Sequence, residues 1–212
     1  MKSPLADSER DALITAILPD VAFDGWSRAA LRAAARRAGI GHAEASALFP
    51  RGAPDLVAAF SRWVDRRMLD RIETSPLEGL ATGERIGLAL RLRFEILAPW
   101  REAVRRSLAV LMMPHNALLG GRLLYETVDG IWYAAGDAAT DLSFYTKRAT
   151  LAGIVAAATL YWLDDRSGGS ADTEAFIERR LADIGRVARA RHRFDTAAGH
   201  LPNPFQVLRP GR

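Results

Sequence analysis

Residues 24–50 read DGWSRAALRAAARRAGIGHAEASALFP, and this stretch decides the fold class. Its apolar positions recur at the three- to four-residue spacing of a helix face rather than alternating as in a strand. Ser27 is placed to cap a helix that continues to Ala38, and Gly39 supplies the left-handed residue that ends it. A short helix over residues 42–48 follows. The stretch therefore predicts two helices joined by a tight turn.

Helical patterns continue on both sides of this stretch. A first helix over residues 8–18 precedes it, and a long helix over residues 55–71 follows the break at residues 49–54. Beyond Ser75-Pro76, proline- and glycine-containing breaks separate five more helical patterns, over residues 82–97, 99–112, 115–138, 141–164 and 171–193. We therefore predict an all-α chain with a head over residues 1–75, a body over 76–195 and a flexible tail over 196–212.

Composition excludes several kinds of protein and of site. An apolar fraction of 49% with 25% charged residues is typical of a globular chain. There is no cysteine, which excludes disulfides and thiolate metal sites. No phosphate-binding glycine motif or nucleophile elbow occurs, and the histidines show no metal-ligand spacing; they are His42, His115, His192 and His200. We predict a protein that is not an enzyme, with no metal and no cofactor.

The first residues and the most apolar stretch of the sequence predict where in the cell the protein lies. The first residues carry acids and no apolar run, unlike a secretory signal. Residues 149–163 form the longest nearly uncharged stretch, which is shorter than the roughly 20 residues that span a bilayer. We expect a cytoplasmic protein in which residues 149–163 are a buried helix.

The order of helices in the head resembles the DNA-binding head of TetR-type repressors. In that family the resemblance implies that the short helix enters the major groove, but residues 42–48 contain no Arg or Lys and include Glu44. Arg28, Arg32 and Arg36 recur every four residues on the preceding helix, as a solvated ridge or as phosphate contacts. We expect a TetR-like fold whose head has lost its DNA surface.

Four blocks of the sequence form a distinctive pattern. The most specific block is DLSFYTKRATLAGI at residues 141–154, followed by LYWLDD at 160–165. The other three blocks are FPRG at 49–52, IWYAAGD at 131–137 and AFIERR at 175–180. Together the blocks resemble the Coq-nine family of lipid-binding accessory proteins of ubiquinone biosynthesis, and the resemblance covers most of residues 10–190.

The resemblance implies a homodimer whose body holds an apolar cavity for isoprenoid quinone intermediates or phospholipid chains. It also implies that catalysis is left to a partner, a membrane-associated di-iron demethoxyubiquinone hydroxylase to which the lipid is presented. The alternative from the TetR resemblance is a ligand-responsive transcriptional regulator. The two hypotheses differ in predicted DNA affinity, since a repressor needs a basic recognition surface.

Candidate lipid-binding residues lie on three of the predicted helices. Small side chains along residues 149–163 leave room that either a neighbouring helix or an apolar ligand can fill. Methionines adapt to irregular apolar ligands, and Trp side chains can orient a headgroup, although core packing is the alternative for each. The candidates are Leu108, Leu111, Met112, Trp132, Leu151, Ile154, Val155, Ala158 and Trp162.

Candidate partner-contact residues surround the Tyr-Thr-Lys-Arg motif, where aromatic anchors stand beside positive charge. Mapped by motif from the family, they are Asp141, Phe144, Tyr145, Lys147 and Arg148. A peripheral membrane contact at the inner face is the weakest hypothesis, because Pro202, Pro204 and Pro210 interrupt the C-terminal segment where the family's mitochondrial members carry an amphipathic helix. Arg residues over 186–193 could still attract anionic headgroups.

Overall fold

The computed structural model describes residues 4–136 and 142–198, and within them the side chains of residues 7–136, 145–183 and Arg186. These residues form α-helices and short 3-10 turns without a strand, which confirms the all-α prediction. The helices are α1 Pro4–Asp24, α2 Arg28–Ala38, α3 His42–Leu48, α4 Ala53–Glu73, α5 Thr82–Leu97, α6 Arg101–Leu111, α7 Ala117–Ala134, α8 Leu142–Asp164 and α9 Ala171–Ala198.

The head is built from α1 to α3 by the caps that the sequence predicts. Ser27 has an extended backbone, and its hydroxyl oxygen accepts a hydrogen bond from the backbone N–H of Ala30 at 3.1 Å. Gly39 has a φ of 68°, so it provides the left-handed residue that ends α2. Ala30, Ala34 and Ala35 are buried, and their small side chains let α2 pack closely within the head.

Two helices extend at least five residues past their predicted C-terminal ends. The apolar spacing predicted a helix that ends near Leu18, yet α1 continues to Asp24 and includes Pro19, a residue that disfavours a helix interior. The continuation places Val21 in the core with no exposed surface, and this burial offsets the hydrogen bond that the proline removes. At the other end, α9 reaches Ala198 rather than residue 193. The tail was predicted over residues 196–212, and its part from residue 199 onward lies outside the described residues.

The helix α4 links the head to the body. It begins after Gly52, whose φ of 71° and ψ of −121° suit a residue without a Cβ atom. Phe60 of α4 packs against Trp26 with ring centroids 5.2 Å apart. The indole N–H of Trp26 in turn donates to the hydroxyl of Ser107 on α6 at 2.9 Å. The head is therefore fastened to both α4 and α6.

A single carboxylate holds the corner between α8 and α9. Asp165 accepts hydrogen bonds from the backbone N–H groups of Ser167 and Thr173, at 2.8 and 2.9 Å, and from both hydroxyl groups. Burial alone would raise the pKa of Asp165, but the donors from Ser167 and Thr173 outweigh it and lower the pKa well below its usual range. Asp165 therefore has a structural role as the cap of the first turn of α9.

Candidate functional site: an apolar cavity lined by five helices

The apolar faces of α4 to α8 line an open cavity of about 500 Å³. From α4 come Val57, Phe60 and Val64, and from α6 come Leu108 and Leu111. The apolar wall is completed by Leu97, Val104, Leu123, Leu124, Val155 and Leu160. A concave space with mostly aliphatic walls is the usual form of a site for an apolar small molecule.

Two adjacent glycines of α7 border this cavity. A Cβ atom on Gly120 would stand 3.6 Å from the Cβ of Leu111, which is an ordinary van der Waals contact at the end of α6. A Cβ atom on Gly121 would meet nothing within 4 Å. A side chain introduced at Gly121 therefore has room at the cavity wall.

The rim of the cavity exposes apolar side chains to solvent. Met112, at the end of α6, is 80% exposed, and Leu160 of α8 is 59% exposed, although both line the cavity. Exposed aliphatic side chains at the rim of an apolar cavity are typical of a site that an apolar ligand or partner covers.

One part of the cavity wall is polar. Arg93 of α5 and Thr127 of α7 line the cavity, and both contact the carboxylate of Asp65 on α4. Burial, the largest influence, raises the pKa of Asp65, while Arg93 and Thr127 lower it by less. Arg93 keeps 12% of its side chain exposed and so retains donors beside the apolar walls. None of the three residues could be predicted from the sequence, because they lie on three different helices and form no motif.

The structure places four of the nine lipid-binding candidates at the cavity, namely Leu108, Leu111, Met112 and Val155. The other five do not line it; they are Trp132, Leu151, Ile154, Ala158 and Trp162. Trp162 is fully buried, with its ring 5.5 Å from that of Phe94 and the Arg101 guanidinium 4.5 Å from its centroid. Lipid binding by all nine stays a prediction.

The partner-contact candidates do not form one uniform surface. Tyr145 is 70% exposed near the start of α8. Arg148 is buried, and its guanidinium pairs with Asp129 of α7 at 2.8 and 2.9 Å. The Lys147 ammonium lies 5.7 Å from the ring centroid of Trp132. Asp141 and the side chain of Phe144 lie outside what the structure describes.

The short helix α3 presents no Arg or Lys on its exposed positions. His42, Ala43, Glu44 and Ala47 are exposed, while Ala45 is buried. Arg28 of the preceding helix donates to the backbone carbonyl of Pro50 at 3.2 Å, so this arginine is directed toward the turn after α3. The head keeps the helix-turn-helix shape, but α3 lacks the Arg and Lys side chains that contacts with DNA phosphates need.

Neither a membrane-spanning helix nor a metal cluster occurs in the part of the chain that the structure describes. Among residues 4–136 and 142–198, no helix is long and apolar enough to cross a bilayer. In the same part of the chain, no group of three or more His, Asp or Glu side chains is placed to hold a metal ion.

The last three helices of the described chain are similar to a known protein family. Residues 118–188 match the COQ9 family. This match confirms the Coq-nine resemblance predicted from the four sequence blocks. It covers most of α7, all of α8 and the first part of α9.

Curated COQ9 proteins extend the similarity over most of the chain. The human mitochondrial ubiquinone biosynthesis protein COQ9 is 32% identical over 178 residues, which are 81% of this chain and 56% of that protein. The Drosophila melanogaster COQ9 is 28% identical over 184 residues, which are 85% of this chain and 56% of that protein. The chain thus spans little more than half the length of these COQ9 relatives.

A solved structure supports the fold assignment. A TetR transcriptional regulator from Nitrosomonas europaea superposes with a TM-score of 0.66 at 23% identity, covering 82% of this chain and 97% of that one. At this identity the likeness concerns the fold alone. The all-α, TetR-like architecture predicted from the sequence is confirmed.

Proposed function

We propose that this COQ9-like chain is a non-enzymatic lipid-binding accessory protein of ubiquinone biosynthesis. It holds an isoprenoid quinone intermediate in the cavity between α4 and α8 and presents it to a demethoxyubiquinone hydroxylase. The observation that carries the proposal is the apolar cavity of about 500 Å³ in a chain whose curated relatives are named for ubiquinone biosynthesis.

The walls of the cavity suit an amphiphile with an apolar tail and a hydrogen-bonding head. Val57, Leu108 and Val155 offer only carbon atoms to a tail. Arg93 offers N–H donors that match the oxygen atoms of a quinone or phenol ring. The exposed Met112 at the rim suits entry from an apolar phase such as a membrane.

The test is organic extraction of the purified protein followed by mass spectrometry for bound quinone precursors or phospholipid. We expect a stoichiometric isoprenoid or acyl ligand in the unmodified protein. The variant Gly121→Trp places an indole in the open space beside the cavity and should reduce the bound lipid severalfold, since the site loses volume.

The matched control is Gly83→Trp, because Gly83 lies on α5, has nothing within 4 Å of a built Cβ atom and does not line the cavity. This control should keep its lipid, and both variants should fold because neither glycine position is crowded. An unmodified protein without lipid, or equal lipid in Gly121→Trp and Gly83→Trp, would overturn the proposed cavity function.

Delivery to the hydroxylase is tested separately from lipid binding. Tyr145→Ala removes an exposed aromatic side chain from the partner-contact candidates and should weaken co-purification of the hydroxylase. Tyr125→Ala removes another exposed tyrosine, on α7 and outside the motif, and serves as the control. Equal co-purification with both variants would place the contact elsewhere.

A homodimer is the assembly that we propose for this chain. The described part of α8 leaves Gly153, Ala156, Ala157 and Leu160 exposed along one side of the helix. Small side chains let two helices approach closely, and Leu160 adds apolar area to such a contact. A transcriptional regulator is the less favoured reading, because the exposed side of α3 lacks the cations that DNA binding needs.

A further inference from the structure

A second cavity, of about 590 Å³, lies between the head and the start of α7. It shares α4 and α7 with the apolar cavity but uses different positions on both helices, such as Arg62 rather than Ser61 on α4. Its lining includes six basic side chains drawn from the head, from α4 and from the segment around the start of α7. These are Arg10, Arg51, Arg62, Arg66, His115 and Arg122. We call this space the arginine groove.

The carboxylates in and beside the arginine groove are outnumbered by its guanidinium groups. Asp7, Asp11 and Asp55 pair with Arg10, Arg66 and Arg51 respectively. Glu126 alone accepts from the two remaining arginines, Arg62 and Arg122, each with a shortest N–O distance of 2.9 Å. Five guanidinium groups thus share four carboxylates, and the groove keeps an excess of positive charge before His115 is counted.

The electrostatic state of Glu126 agrees with this excess. Partial burial would raise the pKa of its carboxyl, but the hydrogen bonds from Arg62 and Arg122 outweigh burial and lower the pKa. The carboxylate therefore stays ionised near neutral pH and fixes both guanidinium groups beside the groove.

The ion pairs orient the arginines without using all of their donors. A guanidinium carries five N–H donors. Arg122 gives its Nε–H to Glu126 and remains 71% exposed, so its two terminal nitrogens are available to a ligand. Arg51 is 64% exposed while it pairs with Asp55. Planar, fixed guanidinium groups bind phosphate oxygens two at a time, which a lysine cannot do.

An exposed apolar side chain stands at the edge of the same groove. Leu118, in the first turn of α7, lines the groove and is 91% exposed. Met113, five residues earlier, is also exposed. An apolar edge beside phosphate-binding cations suits the headgroup of a lipid, whereas the cations alone suit a soluble phosphate compound equally well.

We propose that the arginine groove is a second binding site, for a phosphate-bearing anion. The anion is either a soluble phosphate compound or the headgroup of an anionic phospholipid. This site goes beyond the proposed cavity function, because its ligand chemistry is ionic and its residues are distinct from the apolar walls.

Two binding measurements on the full chain distinguish the sources of phosphate. Isothermal titration calorimetry with inorganic pyrophosphate tests a soluble anion, and co-sedimentation with vesicles of phosphatidylcholine, with or without phosphatidylglycerol, tests a headgroup. Arg122→Gln removes one groove cation at a surface position. Arg32→Gln removes a cation from an exposed position of α2 outside the groove and is the matched control.

Binding in either arm that Arg122→Gln weakens about tenfold, and Arg32→Gln leaves unchanged, supports the proposal. Binding of pyrophosphate alone identifies a soluble phosphate compound, and binding of phosphatidylglycerol vesicles alone identifies a headgroup. No binding in either arm, or equal weakening by both variants, overturns it. The amount of lipid extracted from Arg122→Gln should equal the amount extracted from the unmodified protein. A loss of anion binding at the groove can therefore be distinguished from a loss of lipid binding in the apolar cavity.

Discussion

Thr127 donates its hydroxyl hydrogen to the carboxylate of Asp65, with its oxygen 3.0 and 3.1 Å from the two carboxylate oxygens. The bond joins α7 to α4, and Arg93 joins α5 to the same carboxylate. Three helices therefore meet at the polar part of the cavity wall. A buried carboxylate that loses one of its partners keeps the full cost of its desolvation.

The variant Thr127→Val should lower the free energy of unfolding by about 1–3 kcal/mol near neutral pH. Burial already raises the pKa of Asp65, so its titration favours folding below the unfolded pKa, and that contribution is lost as pH rises through the folded pKa. Without Thr127 the folded pKa rises further. Urea denaturation should therefore show a smaller loss below about pH 4 than near neutral pH.

Thr159→Val is the matched control for this prediction. Thr159 also lines the cavity, but its hydroxyl donates to the backbone carbonyl of Val155 in its own helix. The loss of unfolding free energy in Thr159→Val should be small and independent of pH. The same pH-independent loss in both variants would contradict the role given to Asp65.

Asp165→Asn should lower the free energy of unfolding by about 1–2 kcal/mol near neutral pH, as expected for loss of a helix cap. The pKa of Asp165 is lowered in the folded chain, so its stabilising contribution is present above the unfolded pKa and is lost as pH falls through the folded pKa. Thermal unfolding as a function of pH should show the two proteins converging in strong acid. Asp164→Asn, at the neighbouring exposed position, should behave as the unmodified protein.

Gly153→Glu should convert the proposed homodimer to a monomer, because it adds a charge to the exposed small-residue side of α8. Light scattering coupled to size-exclusion chromatography measures the mass directly. Gly83→Glu introduces the same side chain on α5, where nothing lies within 4 Å, and should stay dimeric. A monomeric unmodified protein at micromolar concentration would refute the proposed assembly.

Duplex DNA should bind weakly and with a shallow dependence on salt, because α3 exposes no Arg or Lys. Fluorescence anisotropy with a mixed-sequence duplex at low and physiological salt tests this expectation. Arg32→Gln should change the affinity little. A steep fall of affinity with salt, removed by Arg32→Gln, would favour a phosphate-binding role for the α2 arginines and a regulator function.

Local signals in the sequence were sufficient for the helices but not for the cavity. Ser27 and Gly39 fix both ends of α2 by capping chemistry that acts within a few residues. The predicted end of α1 at Leu18 was too early, because tertiary burial of Val21 outweighs the local preference against Pro19 inside a helix. The apolar composition of α8 is consistent with the burial of Trp162. Periodicity alone could not distinguish a Trp162 that packs against Phe94 from one that lines a ligand cavity.

The spacing of residues in the sequence could not predict the polar residues of either cavity. Asp65, Arg93 and Thr127 meet only because α4, α5 and α7 pack together. The arginines of the groove likewise come from segments that each resemble a solvated helix surface. Family resemblance supplied the expectation of a lipid cavity, and the structure identified the walls that could form it.

The helix α4 forms part of the wall of both cavities, with Val57 and Ser61 facing the apolar space and Ala58 and Arg62 facing the arginine groove. Any ligand that shifts α4 on one side changes the free energy of filling the other. Such a coupling is reciprocal, so an anion that raises the affinity for lipid must itself be bound more tightly by the loaded protein. If both proposed sites are occupied as we infer, the shared helix would link the affinity for lipid to the charge of the surface that the arginine groove contacts.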